Sequence, residues 1–359
     1  MHQCRNLYVH FPFCRRKCTY CALHSRVRQS ETRKLQYITT LIDALDRMQL
    51  EMGVLKTVYF GGGTPALCDL TTLLEKLKPH LASDYEWTVE LHPEDATDAV
   101  LKVLKDGGVN RISMGVQSLE DEVLKDMNRG YTFEFAEKSF KKIREYFSNA
   151  GIDLIVGYPL ETAALVPRHA RLAKWGLKHV SVYSLILEET SLLKKRLEAR
   201  NYFEYESIDD DVLMNRLGIV ASFMEGIGLD RYEISNYAKP GYECQHNLAV
   251  WRGEDYYGLG DGAKGRIGRF RTANWFGEEL KPTKEGTLEI EEVDEKSNKV
   301  ERMLFRLRTR EGIDSSEVCE WKDTLEHFHL KGLLSREGDI YRLTSRGTEV
   351  CDSILADLV

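Results

Sequence analysis

The sequence predicts an α/β protein: an open, partial (β/α)6 barrel followed by a small, mostly helical, winged-helix-like domain. Three observations carry this. Six short apolar runs, most of them rich in β-branched residues, alternate with longer amphipathic stretches over the first two thirds of the chain. After about Glu188 the pattern changes to a long helical stretch and then a Gly- and aromatic-rich one. The tail Val300–Val359 reads as three helices, a short hairpin and one more helix.

The strand-like runs are Leu7–Phe13, Leu55–Phe60, Trp87–Leu91, Arg111–Val116, Ile152–Gly157 and His179–Leu187. The helical stretches between them are Glu31–Met52, Leu70–Leu81, Thr97–Lys105, Phe133–Phe147 and Val166–Trp175. Strands separated by helices imply parallel pairing with right-handed crossovers. Six units fall short of the eight of a full barrel. An open barrel fits that count, and a doubly wound sheet is the alternative.

Ser207–Gly226 reads as one long helix, Tyr232–Asn274 as the Gly- and aromatic-rich stretch, and Glu278–Lys299 as a charged linker. The hairpin of the tail spans Leu334–Leu343, turning near Glu337-Gly338-Asp339. These shifts divide the chain into the barrel (1–230), a connecting segment packed on it (231–290) and the C-terminal domain (291–359).

Apolar residues at 42% and charged residues at 30% are those of a soluble globular protein. The net charge of -7 argues against a nucleic-acid binder, which needs a basic stripe. No signal-like h-region follows Met1, and no apolar run nears the ~18 residues of a membrane span. A cytoplasmic protein is expected, and in that reducing compartment a tight cysteine trio reads as a metal site.

The trio is Cys14, Cys18 and Cys21, spaced C-x3-C-x2-C on the loop that leaves the first strand. Three thiolates can take three corners of an iron–sulfur cube and leave the fourth iron open. An open coordination position is what a catalytic metal needs. Structural zinc is the competing reading. It wants four ligands, usually as two spaced pairs, and here only His10 or His24 stands near enough in sequence to complete a set. Arg15, Arg16 and Lys17 put positive charge inside the same loop.

Polar groups gather at the carboxyl ends of the following strands, where ligand sites collect in parallel sheets. The second run ends in Gly61-Gly62-Gly63-Thr64-Pro65, the third in Glu90-Leu91-His92-Pro93 and the fourth in Gly115-Val116-Gln117-Ser118. The fifth carries Asp153. Each alone is an ordinary structural polar residue; four in successive strands point to a site.

With the cysteine loop, these segments resemble the radical S-adenosylmethionine (SAM) group that contains oxygen-independent coproporphyrinogen III dehydrogenase and the haem chaperones called HemW. The resemblance extends through Asn110–Ser118, Ile152–Pro159, Tyr183–Thr190, Tyr232–Tyr237, Ala238–Asn247 and Gly258–Ala263. It implies a [4Fe–4S] cluster on Cys14, Cys18 and Cys21. It implies that Tyr8 and Tyr20 flank SAM, that Gly62, Gly63 and Thr64 contact its methionine part, and that Glu90, Gln117, Arg129 and Asp153 contact its polar groups. It further implies reductive cleavage of SAM, fed by an electron donor such as a flavodoxin-type reductant.

Two features lean toward the chaperone branch. The dehydrogenase carries a further cysteine two residues after the third, where this chain has Leu23. It also carries an extension before its cluster loop, and here Cys14 lies close to Met1. A third feature is Cys244-Gln245-His246-Asn247-Leu248-Ala249-Val250-Trp251, which resembles the H-N-x-x-Y-W segment proposed to bind haem. It nominates His246 as an axial ligand and Trp251 as a porphyrin-packing residue, with Val250 in place of the usual Tyr. The bland alternative for His246 is a histidine hydrogen-bonded beneath the barrel's open side. Two further positions depart from the pattern: Lys264 stands where His is usual and His92 where Asn is usual.

The resemblance therefore implies a haem chaperone that takes haem and passes it to haem-accepting proteins. The alternative is an enzyme that decarboxylates coproporphyrinogen III oxidatively, with porphyrinogen as its ligand. A weaker alternative is another radical SAM reaction, such as RNA modification. Under the first two readings, Cys14→Ala, Cys18→Ala and Cys21→Ala should each abolish the iron–sulfur absorbance after anaerobic reconstitution, measured by visible spectroscopy.

Overall fold

The computed structural model of the chain describes residues 4–162, 170–199, 209–276 and 288–358. Six parallel strands form the centre: β1 (Asn6–Phe11), β2 (Leu55–Gly62), β3 (Leu81–Leu91), β4 (Arg111–Gln117), β5 (Asn149–Val156) and β6 (His179–Ser184). They lie side by side in sequence order. A doubly wound sheet reverses its order at a switch point, and this one does not. The helices therefore lie on one side, as in a barrel.

Those helices are α1 (Glu31–Met48), α2 (Thr71–Leu77), α3 (Asp98–Asp106), α4 (Asp121–Asp126) and α5 (Phe133–Tyr146). Their boundaries follow from local chemistry. Ser30, Thr97 and Thr132 cap α1, α3 and α5, each accepting a first-turn N–H. Gln49, in the left-handed region at φ 49°, ends α1 four residues before Gly53, short of the expected Met52.

Side-chain alternation along the strands divides the sheet into two faces. Val9 and Phe11, Val58 and Phe60, Trp87 and Val89, Ile112 and Met114, Ile152 and Leu154, Val180 and Val182 share one core. Tyr37 and Leu41 of α1, Leu73 and Leu77 of α2, Leu101 and Leu104 of α3, and Phe140 and Ile143 of α5 close that core from the helix side. The opposite, inner face carries Tyr8, Tyr59, Glu90, Ser113, Asp153, Ser181 and Tyr183.

The connecting segment extends the barrel sheet. Asn236–Ala238 pairs antiparallel with β6, and Tyr257–Leu259 pairs parallel with β1. Beyond it, Lys264–Ile267, Phe270–Asn274 and Leu288–Glu292 form a separate three-stranded antiparallel sheet. The charged stretch expected to be a linker thus supplies a strand and the start of helix Glu295–Leu307, where Asp294 caps the first turn. Its residues 278–287 lie outside the described residues. So do 166–169 and 207–208 of two expected helices; the second helix runs Asp210–Gly226.

The C-terminal part has its own core, including Met303, Leu307, Val318, Leu325, Phe328, Leu334 and Tyr341. The expected hairpin is present as Leu334–Glu337 and Ile340–Leu343, and Ile313–Asp314 adds a third strand that sequence patterning missed because it is two residues long. Among the described residues no helix is long and apolar enough to cross a membrane.

Trp87 of β3 is fully buried and meets Phe60 edge-on, ring centroids 5.3 Å apart. Trp87→Ala should cost about 3–5 kcal/mol, read as a lowered urea midpoint at unchanged slope.

Candidate functional site

The cysteine loop crosses the carboxyl end of the barrel. Cys14 ends a two-residue strand, Phe13–Cys14, paired parallel with Arg26–Val27. The loop between turns back on itself, with the Cys21 N–H donating to the Cys18 carbonyl at 3.3 Å. All three thiols are free and partly exposed. Burial pushes the Cys14 thiol up to about 11, and the charges of Cys21 and Cys18 add to it. Burial raises Cys21 as well. Metal ligation by cysteine takes the thiolate, so metal uptake at raised thiols such as Cys14 and Cys21 releases protons.

The three sulfurs do not meet at a point: among the described residues no three His, Cys, Asp or Glu side chains converge enough to share one ion.

Gly63 explains how the loop sits so close to β2. A Cβ there would lie 2.5 Å from the Phe13 carbonyl and 3.0 Å from Cys14 Sγ. Instead the Gly63 N–H donates to the Phe11 carbonyl and the Thr64 N–H to the Phe13 carbonyl, both at 2.7 Å. Arg129 approaches from the other side. Its Nη1 donates to Cys18 Sγ at 3.4 Å, its Nη2 to the Gly115 carbonyl at 2.7 Å and its Nε to the Tyr131 hydroxyl at 2.9 Å. Tyr20 packs with Val123, Met127 and Leu193 beside that guanidinium.

The loop's own cations hold partners within or beside the loop. Arg15 pairs with Asp95, Arg16 with Glu94 at 3.1 Å, and Lys17 donates to the Leu23 carbonyl and Ser25 Oγ, both at 2.9 Å.

Inside the barrel two carboxylates stand near one another. Glu90 accepts from the Tyr59 hydroxyl at 2.9 Å and the Gly62 N–H at 3.0 Å. Asp153 accepts from Ser113 Oγ at 2.9 Å. Burial pushes Glu90 up to about 7, with the Asp153 charge second, and burial raises Asp153 too. Gln117 ends β4 in the left-handed region at φ 69°, a conformation that costs a non-glycine residue about 1–3 kcal/mol and that clusters at functional sites. Tyr8 lines the same interior, its hydroxyl 2.9 Å from His10 Nδ1 and its ring 6.1 Å from that of Tyr59.

The structure thus brings Cys14, Cys18, Cys21, Tyr20 and Arg129 together at the mouth, and Tyr8, Gly62, Glu90 and Asp153 along the inner wall below. Sequence reading missed Tyr59, Ser113, Ser181 and Tyr183. Each of the four alternates with the apolar core residues of its own strand, as Glu90 and Asp153 do on theirs, so alternation was the available signal.

His246 and Trp251 part company. His246 is buried on helix Gln245–Trp251 in the barrel floor, with Nδ1 2.8 Å from Thr57 Oγ1 and its ring 5.3 Å from that of Tyr59. Burial, then the Arg111 charge, lowers its pKa to about 3. Trp251 lies five residues on, about 140° around the helix. It meets Phe305 edge-on at 5.4 Å and Arg308 at 5.8 Å. In this arrangement the two side chains leave the helix on different faces.

Glu90 gives a pH test. With a folded pKa near 7 against 4.5 unfolded, the fold favours the protonated acid. That contribution is complete below pH 4.5 and is lost as pH rises through 7. Glu90→Gln, which mimics the protonated form, should melt higher than the unmodified protein at pH 8, and the difference should shrink toward pH 4.5, followed by thermal melts of the metal-free protein.

Comparison with known proteins agrees with this geometry. Residues 8–173 match the Radical SAM superfamily. Heme chaperone HemW of Mycobacterium tuberculosis is 31% identical over 371 residues, covering 98% of this chain and 94% of its own. Heme chaperone HemW of Bacillus subtilis is 36% identical over 282 residues, covering 75% and 73%. Among solved structures, the Escherichia coli coproporphyrinogen III oxidase HemN, described as a radical SAM enzyme, superposes with a TM-score of 0.81 over 98% of this chain and 89% of its own, at 21% identity. The last likeness establishes the shared fold. A full-length relationship above 30% identity goes further, and the chain belongs to the radical SAM superfamily and, within it, to the HemW family.

Proposed function

We propose that this protein is a cytoplasmic haem-binding and haem-delivering radical SAM protein. Its cluster is a [4Fe–4S] cube held by Cys14, Cys18 and Cys21. Its SAM lies between Tyr8 and Tyr20, against Gly62, Gly63 and Thr64, with Glu90, Gln117, Arg129 and Asp153 on the polar groups. The observation that carries the chaperone reading is the end-to-end similarity to proteins named heme chaperone HemW. Leu23 supports it: the position of the dehydrogenase's extra cysteine holds an apolar side chain, 54% exposed.

The donor set fits the cluster, with three free thiols on one loop and a guanidinium hydrogen-bonded to one of them. When bound, the reduced cluster supplies the electron for reductive cleavage of SAM, and the chain supplies the surroundings. Arg129 sets a fixed positive charge at the mouth. Glu90, poised near 7, accepts donors as a carboxylate or retains its proton as the ligand demands. The apolar layer of Val123, Met127 and Leu193 beside Tyr20 keeps water from that side. A flavodoxin-type protein is the electron source and haem-accepting proteins receive the cargo.

For the haem iron we assign His246. Its depressed pKa keeps the imidazole neutral at physiological pH, the form that binds metal. Its burial means that helix Gln245–Trp251 must move before iron reaches it, and Trp251, turned toward Phe305, stays outside this assignment.

Haem added to the purified protein should give a Soret band that saturates at a fixed stoichiometry, and lack of stoichiometric binding overturns the chaperone reading. His246→Ala should remove or shift that band with the circular dichroism intact; an unchanged band confines His246 to the barrel floor. An anaerobic assay with coproporphyrinogen III, SAM and a reductant should show no turnover, and sustained product formation would favour the enzyme instead.

A further inference from the structure

Asp261 is a fully buried carboxylate on the connecting segment, nowhere near the barrel carboxylates in sequence. It grips the chain just past the third cysteine. Its Oδ2 accepts from His24 Nε2 at 2.8 Å and from Arg26 Nε at 3.0 Å. Its Oδ1 accepts from the Phe276 N–H at 2.8 Å. Arg26 Nη2 donates to the Phe276 carbonyl at 3.0 Å, closing a ring between loop and segment.

The backbone at this point is tied down as well. The Asp261 N–H donates to the Tyr37 hydroxyl at 2.9 Å, and that hydroxyl donates to the β1 carbonyl of His10 at 2.6 Å. The neighbouring Gly260 makes the approach feasible: a Cβ there would lie 2.5 Å from the Tyr37 hydroxyl and 2.6 Å from the His10 carbonyl. From the loop side, the His24 carbonyl meets His10 Nε2 at 3.0 Å, and the Arg26 N–H donates to the Pro12 carbonyl. Both ends of the cysteine loop, Pro12 before Cys14 and His24–Arg26 after Cys21, thus converge on one anchor.

The anchor is ionised. Burial works against ionisation, but the hydrogen bonds from His24 and the Phe276 N–H and the Arg26 guanidinium outweigh it and hold Asp261 below the usual carboxylate range. Its side-chain partners, His24 and Arg26, lie just past Leu23, which is exposed, so no packing of Leu23 holds this end of the loop. The carboxylate ties the two side chains on this side of the loop to the connecting segment.

We propose that Asp261 is a positioning residue for the iron–sulfur cluster: through His24 and Arg26 it fixes the exit of the cysteine loop and so the place of Cys21. The inference rests on the cluster assignment made above. It gives the segment Gly258–Ala263 a role as a clamp on the cluster loop. Residues that orient metal ligands from outside the coordination sphere commonly change metal retention about 10–100-fold when removed.

The test is anaerobic. The protein and its variants are reconstituted with iron and sulfide, and loss of the iron–sulfur absorbance to an added iron chelator is timed. Asp261→Ala should lose its cluster about tenfold faster than the unmodified protein, and Asp261→Asn, which keeps one acceptor oxygen, should fall between. The electron paramagnetic resonance spectrum of the reduced cluster should change in Asp261→Ala, which a fold effect remote from the loop would not produce. Should Asp261→Ala fail to fold, the double variant His24→Ala/Arg26→Ala breaks only the loop side of the clamp and should show the same acceleration. If the unmodified protein keeps its cluster and the folded variants match its rate and spectrum, the clamp is overturned. If the unmodified protein takes up no cluster, the cluster reading falls, and the clamp with it.

Discussion

A strand buried on both sides has to satisfy two environments with one run of residues, and in this protein that constraint organises everything else. On the helix side every second residue is apolar, so helices α1, α2, α3 and α5 share one core with the six parallel strands. On the other side the intervening residues are Tyr, Glu, Ser, Asp and Arg. A charge cannot be left alone in such a place. Glu90 is therefore held by Tyr59 and Gly62, Asp153 by Ser113, and Glu86 by the backbone N–H groups of Gln245 and His246 in the floor. The packing that makes the barrel fold leaves its interior lined with groups that can bind a polar ligand.

The cysteine loop has only a small apolar contact, Tyr20 against Val123, Met127 and Leu193, and it borrows order from three further sources. Gly63 lets it lie against β2, Arg129 reaches one of its thiols from beyond β4, and Asp261 ties down its far end. These three residues are spread across the chain from the second strand to the connecting segment. The site is a junction, and its geometry depends on the barrel sheet holding Tyr257–Leu259 against β1. The floor is the opposite case. There His246 sits in a closed network, with its ring nitrogen on Thr57 and its helix start on Glu86, and haem binding at that residue becomes a question of how that network opens.

Much of this was legible from residues in order. The C-x3-C-x2-C spacing picked out three thiols that the structure sets on one loop at the barrel mouth, and Gly61–Thr64, Glu90, Gln117 and Asp153 stood out because each interrupts an apolar run. The hairpin at Leu334–Leu343 was visible from its turn. Other features were not. Residues 288–299 read as linker because their charge dominates, yet a strand at the edge of an antiparallel sheet needs only backbone partners, and Leu288–Glu292 finds them on Phe270–Asn274. His246 and Trp251 looked like a pair because they are close in sequence, but a helix sends residues five apart to different faces.

The sequence by itself determined the chemistry: three thiols at cube-forming spacing, the order of β–α units and the likeness to radical SAM proteins are all local patterns, carried by neighbouring residues. Tertiary structure alone decided the arrangement. Whether six parallel strands reverse order or run on as a barrel, which wall Tyr59 and Ser113 share with Glu90, where the charges of Arg15, Arg16 and Lys17 end up, and that Asp261 meets His24 across 237 positions are all settled by contacts between distant segments. Such contacts follow from the way distant segments are laid side by side in the sheet, and a pattern with a period of two or of 3.6 residues carries no record of them.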